Sequence, residues 1–153
     1  MKKSHDPFSG DIDEEGRVRG RGTVDTRGSL FCIFTALEEL TAQGVTPDGD
    51  VYIASSCTEE ISGDGTSKQF QLVERITNEI FPGVVVTPYT MTGGTYAKFY
   101  KDICPNCIRF APLYINKQQY GSIHALNENL HQGVLPHAVE FYKQVILRAR
   151  EMN

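Results

Sequence analysis

An α/β protein with a largely parallel sheet is the fold class that this sequence predicts. Three observations carry the reading. Apolar residues recur at helical spacing over residues 28–43, over 67–80 and again after Pro136. Short apolar runs at 50–55, 84–86 and 108–111 lie between those stretches and read as strands. Helices that alternate with short strands form crossover units, which give a parallel sheet.

Each element has a local reason. Residues 10–22, GDIDEEGRVRGRG, read as a turn-rich hairpin with its bend at Glu15-Gly16 and Val18 as its apolar point. The first helix, 28–43, carries Leu30, Ile33, Phe34, Leu37 and Leu40 on one stripe, and Gly44 stands where a left-handed C-cap belongs. A short apolar strand follows at 50–55. The helix over 67–80 carries Phe70, Leu72, Val73, Ile76 and Ile80, and Pro82-Gly83 ends it. Val84, Val85 and Val86 read as a buried strand. Gly93-Gly94 opens a short helical piece around 97–100, and 108–111 is a further strand. The last helix starts near Pro136, a favoured first-turn residue, and carries Leu135, Ala138, Val139, Tyr142, Val145, Ile146 and Ala149. There is no internal repeat and no low-complexity segment.

The bulk numbers narrow the function classes. A chain of 153 residues suffices for one domain with a real core, and 40% hydrophobic with 22% charged residues is the balance of a globular protein. A net charge of −4 without a basic block argues against a nucleic-acid partner. No apolar run approaches the ~20 residues that cross a bilayer. The stretch MKKSHDPFSG has two lysines with no apolar segment behind them, so it is not read as a signal peptide, and a cytoplasmic location without membrane contact is expected. Cys32 and Cys57 read as small buried hydrophobes. Cys104-Pro-Asn-Cys107 is a lone CxxC with strand-like residues behind it, which is weak evidence for a redox or zinc role.

Functional groups in α/β proteins gather where strands end and loops begin. Three stretches qualify: Asp25 in GRGTVDTRG before a helix, Glu59-Glu60 in IASSCTEEISGDG after a strand, and His124 in SIHALNENL. A catalytic zinc takes about three protein ligands and keeps one position for water. Asp25, Glu60 and His124 supply such an oxygen, oxygen, nitrogen set. Glu59, beside Glu60, is placed to take the proton of a metal-bound water. Each also has a structural reading. Asp25 is a common helix-cap type, a Glu-Glu pair is ordinarily solvated surface, and a single loop His is commonly a surface residue. Arg19 and Arg21 offer an anion site, against which stands ordinary ion pairing. His131 and His137 read as surface residues.

The same stretches resemble the zinc aminoacylase, carboxypeptidase and deacetylase family (peptidase family M-20). DPFSGDIDEEGRVRGRGTVDTRG resembles its block of Pro-Phe, Gly-Arg-Gly and a metal-bridging Asp. TEEISGDG resembles its Glu-Glu block, and GGTYAKFY…IRFAPLY…SIHALNENL its C-terminal block. What the resemblance implies is a three-layer α/β/α catalytic domain and hydrolysis of peptide or N-acyl-amino-acid amide bonds, in the manner of carboxypeptidase S, acetylornithine deacetylase or a dipeptidase. The site is then Asp25 as bridging carboxylate, Glu59 as general base, and Glu60 and His124 as ligands of one metal. Zinc is the expected ion, with cobalt or manganese as alternatives. Gly93, Gly94 and Thr95 would lie beside the substrate, a small peptide or N-acyl amino acid. Glu128 would orient His124 or cap a turn. The family's upstream His-x-Asp, its later Asp ligand and its lid domain have no counterpart here. The expectation is therefore a single truncated catalytic domain over 1–153, with the lid missing near residues 65–67. One metal set is complete in it, activity is impaired, and an exposed sheet edge is prone to self-association. A non-catalytic α/β remnant or interaction module with a vestigial site is the alternative.

Overall fold

The computed structural model describes residues 5–47, 49–51, 53, 68–87, 108 and 110–152. They divide between two compact units, Met1–Val45 with Ala111–Lys143 and Thr46–Phe110 with Gln144–Asn153.

The first unit begins with the hairpin. Asp13 N–H donates to Arg17 O at 3.0 Å and Arg19 N–H to Asp11 O at 2.8 Å, around the bend at Glu15-Gly16. Its second arm is β1 (Arg17–Arg19), which pairs antiparallel with β2 (Asn129–His131). Val18 opposes Leu130, Arg19 opposes Asn129 and Arg17 opposes His131. Alternation along a strand puts Val18 and Leu130 on one face of this ribbon and the arginines with Asn129 on the other. Leu130 is buried.

Helix α1 (Arg27–Ala42) follows. It ends as predicted: Gly44 takes φ +72°, its N–H donates to Thr41 O, and Val45 N–H reaches back to Leu40 O at 2.9 Å. That is the double bond pattern of a left-handed C-cap. The buried face of α1 differs from the predicted stripe. Ser29, Cys32, Ala36 and Leu40 are buried, whereas Phe31 and Phe34 are 69% and 47% exposed. Apolar residues occupy most of the helix circumference, so periodicity marks the helix without choosing its inner side. The smaller side chains take that side, where they allow close packing.

The short helix α3 (Lys117–Tyr120) is closed by a reciprocal cap. Gln119 N–H donates to Asn116 Oδ1 at 2.9 Å, and Asn116 N–H donates to Gln119 Oε1 at 3.0 Å. A 3-10 turn, Gln132–Val134, leads from β2 into α4 (Leu135–Leu147). The exposed His131 closes that turn by accepting Gly133 N–H on Nδ1 at 3.1 Å. Within the first unit, Ala138 and Phe141 of α4 are buried, Cys32 Sγ lies 3.8 Å from Leu135 O, and Lys143 Nζ pairs with Glu39 at 3.0 Å. Burial pushes the Cys32 thiol up, as expected of a cysteine that serves as a small hydrophobe.

In the second unit, α2 (Lys68–Ile80) buries Leu72, Ile76 and Thr77. Gly83 at φ +86° ends it at the predicted Pro82-Gly83. Val84–Val86 is not a buried strand: Val85 is 87% exposed, and no ladder partner stands beside the segment among the described residues. Val51, Ile53, Ile108 and Phe110 likewise belong to no strand. The one sheet among the described residues is the antiparallel β1–β2 pair, so the described architecture is mixed helix and sheet without the predicted parallel arrangement. No described helix is long and apolar enough to cross a membrane.

Candidate functional site

Asp25 sits in the turn that joins β1 to α1. Gly22 takes φ +81°, which a side chain disfavours. Its carbonyl accepts Arg27 N–H at 2.8 Å, so the chain folds over itself just ahead of the helix. Asp25 does not cap α1. The cap position is Thr26, which makes no side-chain cap bond. The Asp25 carboxylate instead accepts the Thr26 hydroxyl on Oδ1, and its Oδ2 lies 2.7 Å from His124 Nε2. The Asp25–Thr26 peptide is cis.

His124 follows α3. Ser122 Oγ donates to Gln119 O at 2.7 Å and Ala125 N–H to Ser122 O at 2.9 Å, a tight turn that presents the imidazole. His124 is the one non-glycine described residue at positive φ, +62°. A residue held in that region by its surroundings is a reason to look for function. The imidazole is 65% exposed and the Asp25 side chain 23%, so the pair faces solvent from a structured base.

That base is Glu128, which is 2% exposed. Its Oε2 accepts Gly22 N–H at 3.1 Å, and its Oε1 accepts Val24 N–H at 2.9 Å and Asp25 N–H at 3.1 Å. Neighbouring backbone N–H groups that converge in this way form an anion cradle, here filled by the protein's own carboxylate. Glu128 was expected to orient His124 or cap a turn. It makes no bond to His124; its bonds go to the amides of the turn that carries Asp25.

Of the site residues expected from the sequence, the structure brings Asp25 and His124 together across 99 residues. Glu59, Glu60, Gly93, Gly94 and Thr95 lie outside the described residues, as do Cys57, Cys104 and Cys107. Among the described residues no group of three His, Cys, Asp or Glu is placed to hold a metal. Two donors are. A carboxylate oxygen and an imidazole nitrogen that converge suit a divalent ion such as zinc. Their 2.7 Å separation is that of a hydrogen bond.

Arg19 is not free to take an anion. Its Nε and a terminal nitrogen both meet Asp13 Oδ2, at 2.9 and 2.7 Å, and Arg17 Nε meets the same oxygen at 2.8 Å. Sequence reading missed Asp13 as an organiser. The available signal was its place two residues before the bend, with two arginines in the returning strand.

Residues 1–71 match the sequence model of peptidase family M20/M25/M40. This segment is similar to that family. The M20 match covers the Pro-Phe block, Asp25 and the Glu59-Glu60 stretch. Curated relatives agree. The chain is 39% identical to "Probable carboxypeptidase S-like 2" of Dictyostelium discoideum over 85 residues, 53% of this chain and 15% of that protein. It is 27% identical to "N-fatty-acyl-amino acid synthase/hydrolase PM20D1" of Xenopus tropicalis over 86 residues, 56% of this chain and 17% of that protein. It is 39% identical to "Succinyl-diaminopimelate desuccinylase" of Rhodopseudomonas palustris over 70 residues, 44% of this chain and 18% of that protein. The matched regions thus span less than a fifth of each of these relatives.

Proposed function

We propose that this chain carries a metal half-site of an M20-type hydrolase that acts on peptide or N-acyl-amino-acid amide bonds. One observation carries the reading: Asp25 and His124 meet at 2.7 Å on a loop and a turn that the fold holds from behind. The family match supports it, since the relatives' names describe a carboxypeptidase, an N-fatty-acyl-amino-acid hydrolase and a desuccinylase. It also supports a three-layer α/β/α core with a mostly parallel sheet.

In this reading Asp25, Glu60 and His124 hold one divalent ion, zinc before cobalt or manganese. The ion would supply Lewis-acid polarisation of the scissile carbonyl and a more acidic water. Glu59 takes the proton of the attacking water and delivers it to the leaving amine, so one carboxylate serves as base and then as acid. Gly93, Gly94 and Thr95 are the residues assigned to substrate contact in this reading, the substrate being a small peptide or N-acyl amino acid.

Zinc titration of the metal-stripped protein tests this. About one zinc per chain is expected, with loss in the Glu60→Ala, His124→Ala double variant. Equal binding by both proteins would overturn the site. Turnover of N-acyl amino acids or dipeptides, abolished by Glu59→Ala with zinc retained, then separates a working hydrolase from a module that binds metal without catalysis.

A further inference from the structure

We infer that Glu128 is a positioning residue: its buried carboxylate fixes Asp25 opposite His124 and thereby sets the affinity of that pair for a divalent cation. The second half of this statement rests on the metal reading above; the first half does not.

Three donors on one loop meet one carboxylate. Oε1 takes the N–H groups of Val24 and Asp25, and Oε2 takes that of Gly22. Asp25 is thus held through its own backbone, one residue from α1. The holder is itself fixed. Glu128 O accepts Gly20 N–H at 3.2 Å, and the next residue, Asn129, enters β2 opposite Arg19. Glu128 also lies four residues beyond His124. The loop that carries Asp25 is therefore tied twice to the segment that carries His124, through main chain at Gly20 and through the Glu128 side chain at 22–25. Among the described residues, the partners of the Glu128 carboxylate are these three amides and no cation is ion-paired with it. A buried carboxylate that is met only by backbone amides shapes those amides.

Glutamine at 128 would match the shape and lose the chemistry. Its single oxygen can serve one side of the cradle, while its NH2 group would face an N–H on the other. The loop must then move, and Asp25 moves with it. Groups that orient metal ligands typically carry about 10–100-fold in metal affinity.

The test is a double-variant cycle on zinc affinity by chelator competition, using wild type, Glu128→Gln, Asp25→Ala and the pair. Glu128→Gln should weaken zinc binding by about 10–100-fold in the wild-type background and change it little when Asp25 is already alanine. An equal loss in both backgrounds would mean that Glu128 supports the fold at large, and would overturn the inference. A second arm needs no metal. Amide exchange in chelator-treated protein should quicken at Val24 and Asp25 by roughly tenfold or more in Glu128→Gln, with Ala36 and Leu40 unchanged. Unchanged exchange at Val24 and Asp25 overturns the inference whatever zinc does. Wild type that takes up no zinc, together with the expected change in exchange, overturns the metal reading alone. Should Glu128→Gln fail to fold, Glu128→Asp replaces it under the same criteria: it keeps the charge and is one methylene too short to meet all three amides.

Discussion

Glu128 and Asp13 each organise a turn in the first unit, and they recruit different partners. Glu128 is buried and accepts three backbone N–H groups, with no cation ion-paired to it among the described residues. Asp13 is half-buried and sits between two guanidinium groups, while it also accepts the backbone N–H of Glu15 at 3.0 Å and of Arg17 at 2.9 Å. Burial raises the Asp13 carboxyl, but the Arg17 N–H and the two arginine side chains outweigh it and hold the group well below the usual carboxylate range. The difference lies in what replaces the anchor when it is removed. Around Asp13, water and salt can reach the arginines. Around Glu128, they cannot easily reach the amides. A buried donor left without an acceptor costs about 1–3 kcal/mol, far more than a solvated pair forgoes.

The sharpest way to break the comparison is Glu128→Ala. Three donors lose one acceptor together, and their costs overlap because they share a loop. A loss of roughly 3 kcal/mol or more in urea unfolding is expected, and it should be nearly the same in low and high salt, because the missing partners are dipoles. A loss below about 1 kcal/mol would mean that water reaches the cradle, and the contrast with Asp13 would collapse.

Asp13→Asn comes next. The asparagine oxygen can still accept the turn amides, so the lost part is attraction to Arg17 and Arg19. The destabilisation should be smaller than for Glu128→Ala and should shrink as salt is added. Its pH dependence has a fixed sign. The native carboxyl lies below its ordinary value of 3.8, so its contribution is complete above about that pH and is lost as the pH falls from there through the native value. Acid titrations of wild type and Asp13→Asn should therefore converge below pH 3.8 and run parallel above it. Curves that stay parallel into stronger acid would show that the carboxylate's charge does not hold the turn.

What the sequence disclosed follows the range of the interactions. The hairpin at Glu15-Gly16, the C-cap at Gly44 and the stop at Pro82-Gly83 are decided within a few residues, and all three stand as read. Asp25 and His124 lie in two stretches singled out separately in the sequence, and their contact at 2.7 Å joins those stretches. The partners of Glu128 were not, because three bonds that span more than 100 residues leave no spacing pattern. The inner face of α1 was hidden for a different reason. With Phe31, Ile33, Phe34 and Leu37 distributed around the helix, only tertiary packing decides that Cys32 and Ala36 go inside. Val84–Val86 has strand composition, and composition alone supplies no neighbour to pair with.

Glu79 in the second unit sharpens the comparison from its weak end. It meets Arg148 through both carboxylate oxygens, at 2.9 and 2.8 Å, on a side chain that is half exposed. The Arg148 hydrogen bonds lower its carboxyl, partial burial opposes them, and the charges of Arg148 and Arg75 add to the lowering. Like Asp13, it contributes above its ordinary carboxylate value and ceases to as the pH falls through the lowered one. Unlike Asp13, it accepts no backbone N–H among the described residues. Glu79→Gln should therefore have the smallest effect of the three, and moderate salt should erase it, as for an exposed pair. The informative ratio is Asp13→Asn against Glu79→Gln at low salt. A larger effect at Asp13 means that two arginines around one half-buried oxygen act as a cluster. Equal effects would mean that the hairpin's arginines are each as solvated as Arg148, and that the turn amides, which asparagine preserves, are what Asp13 holds.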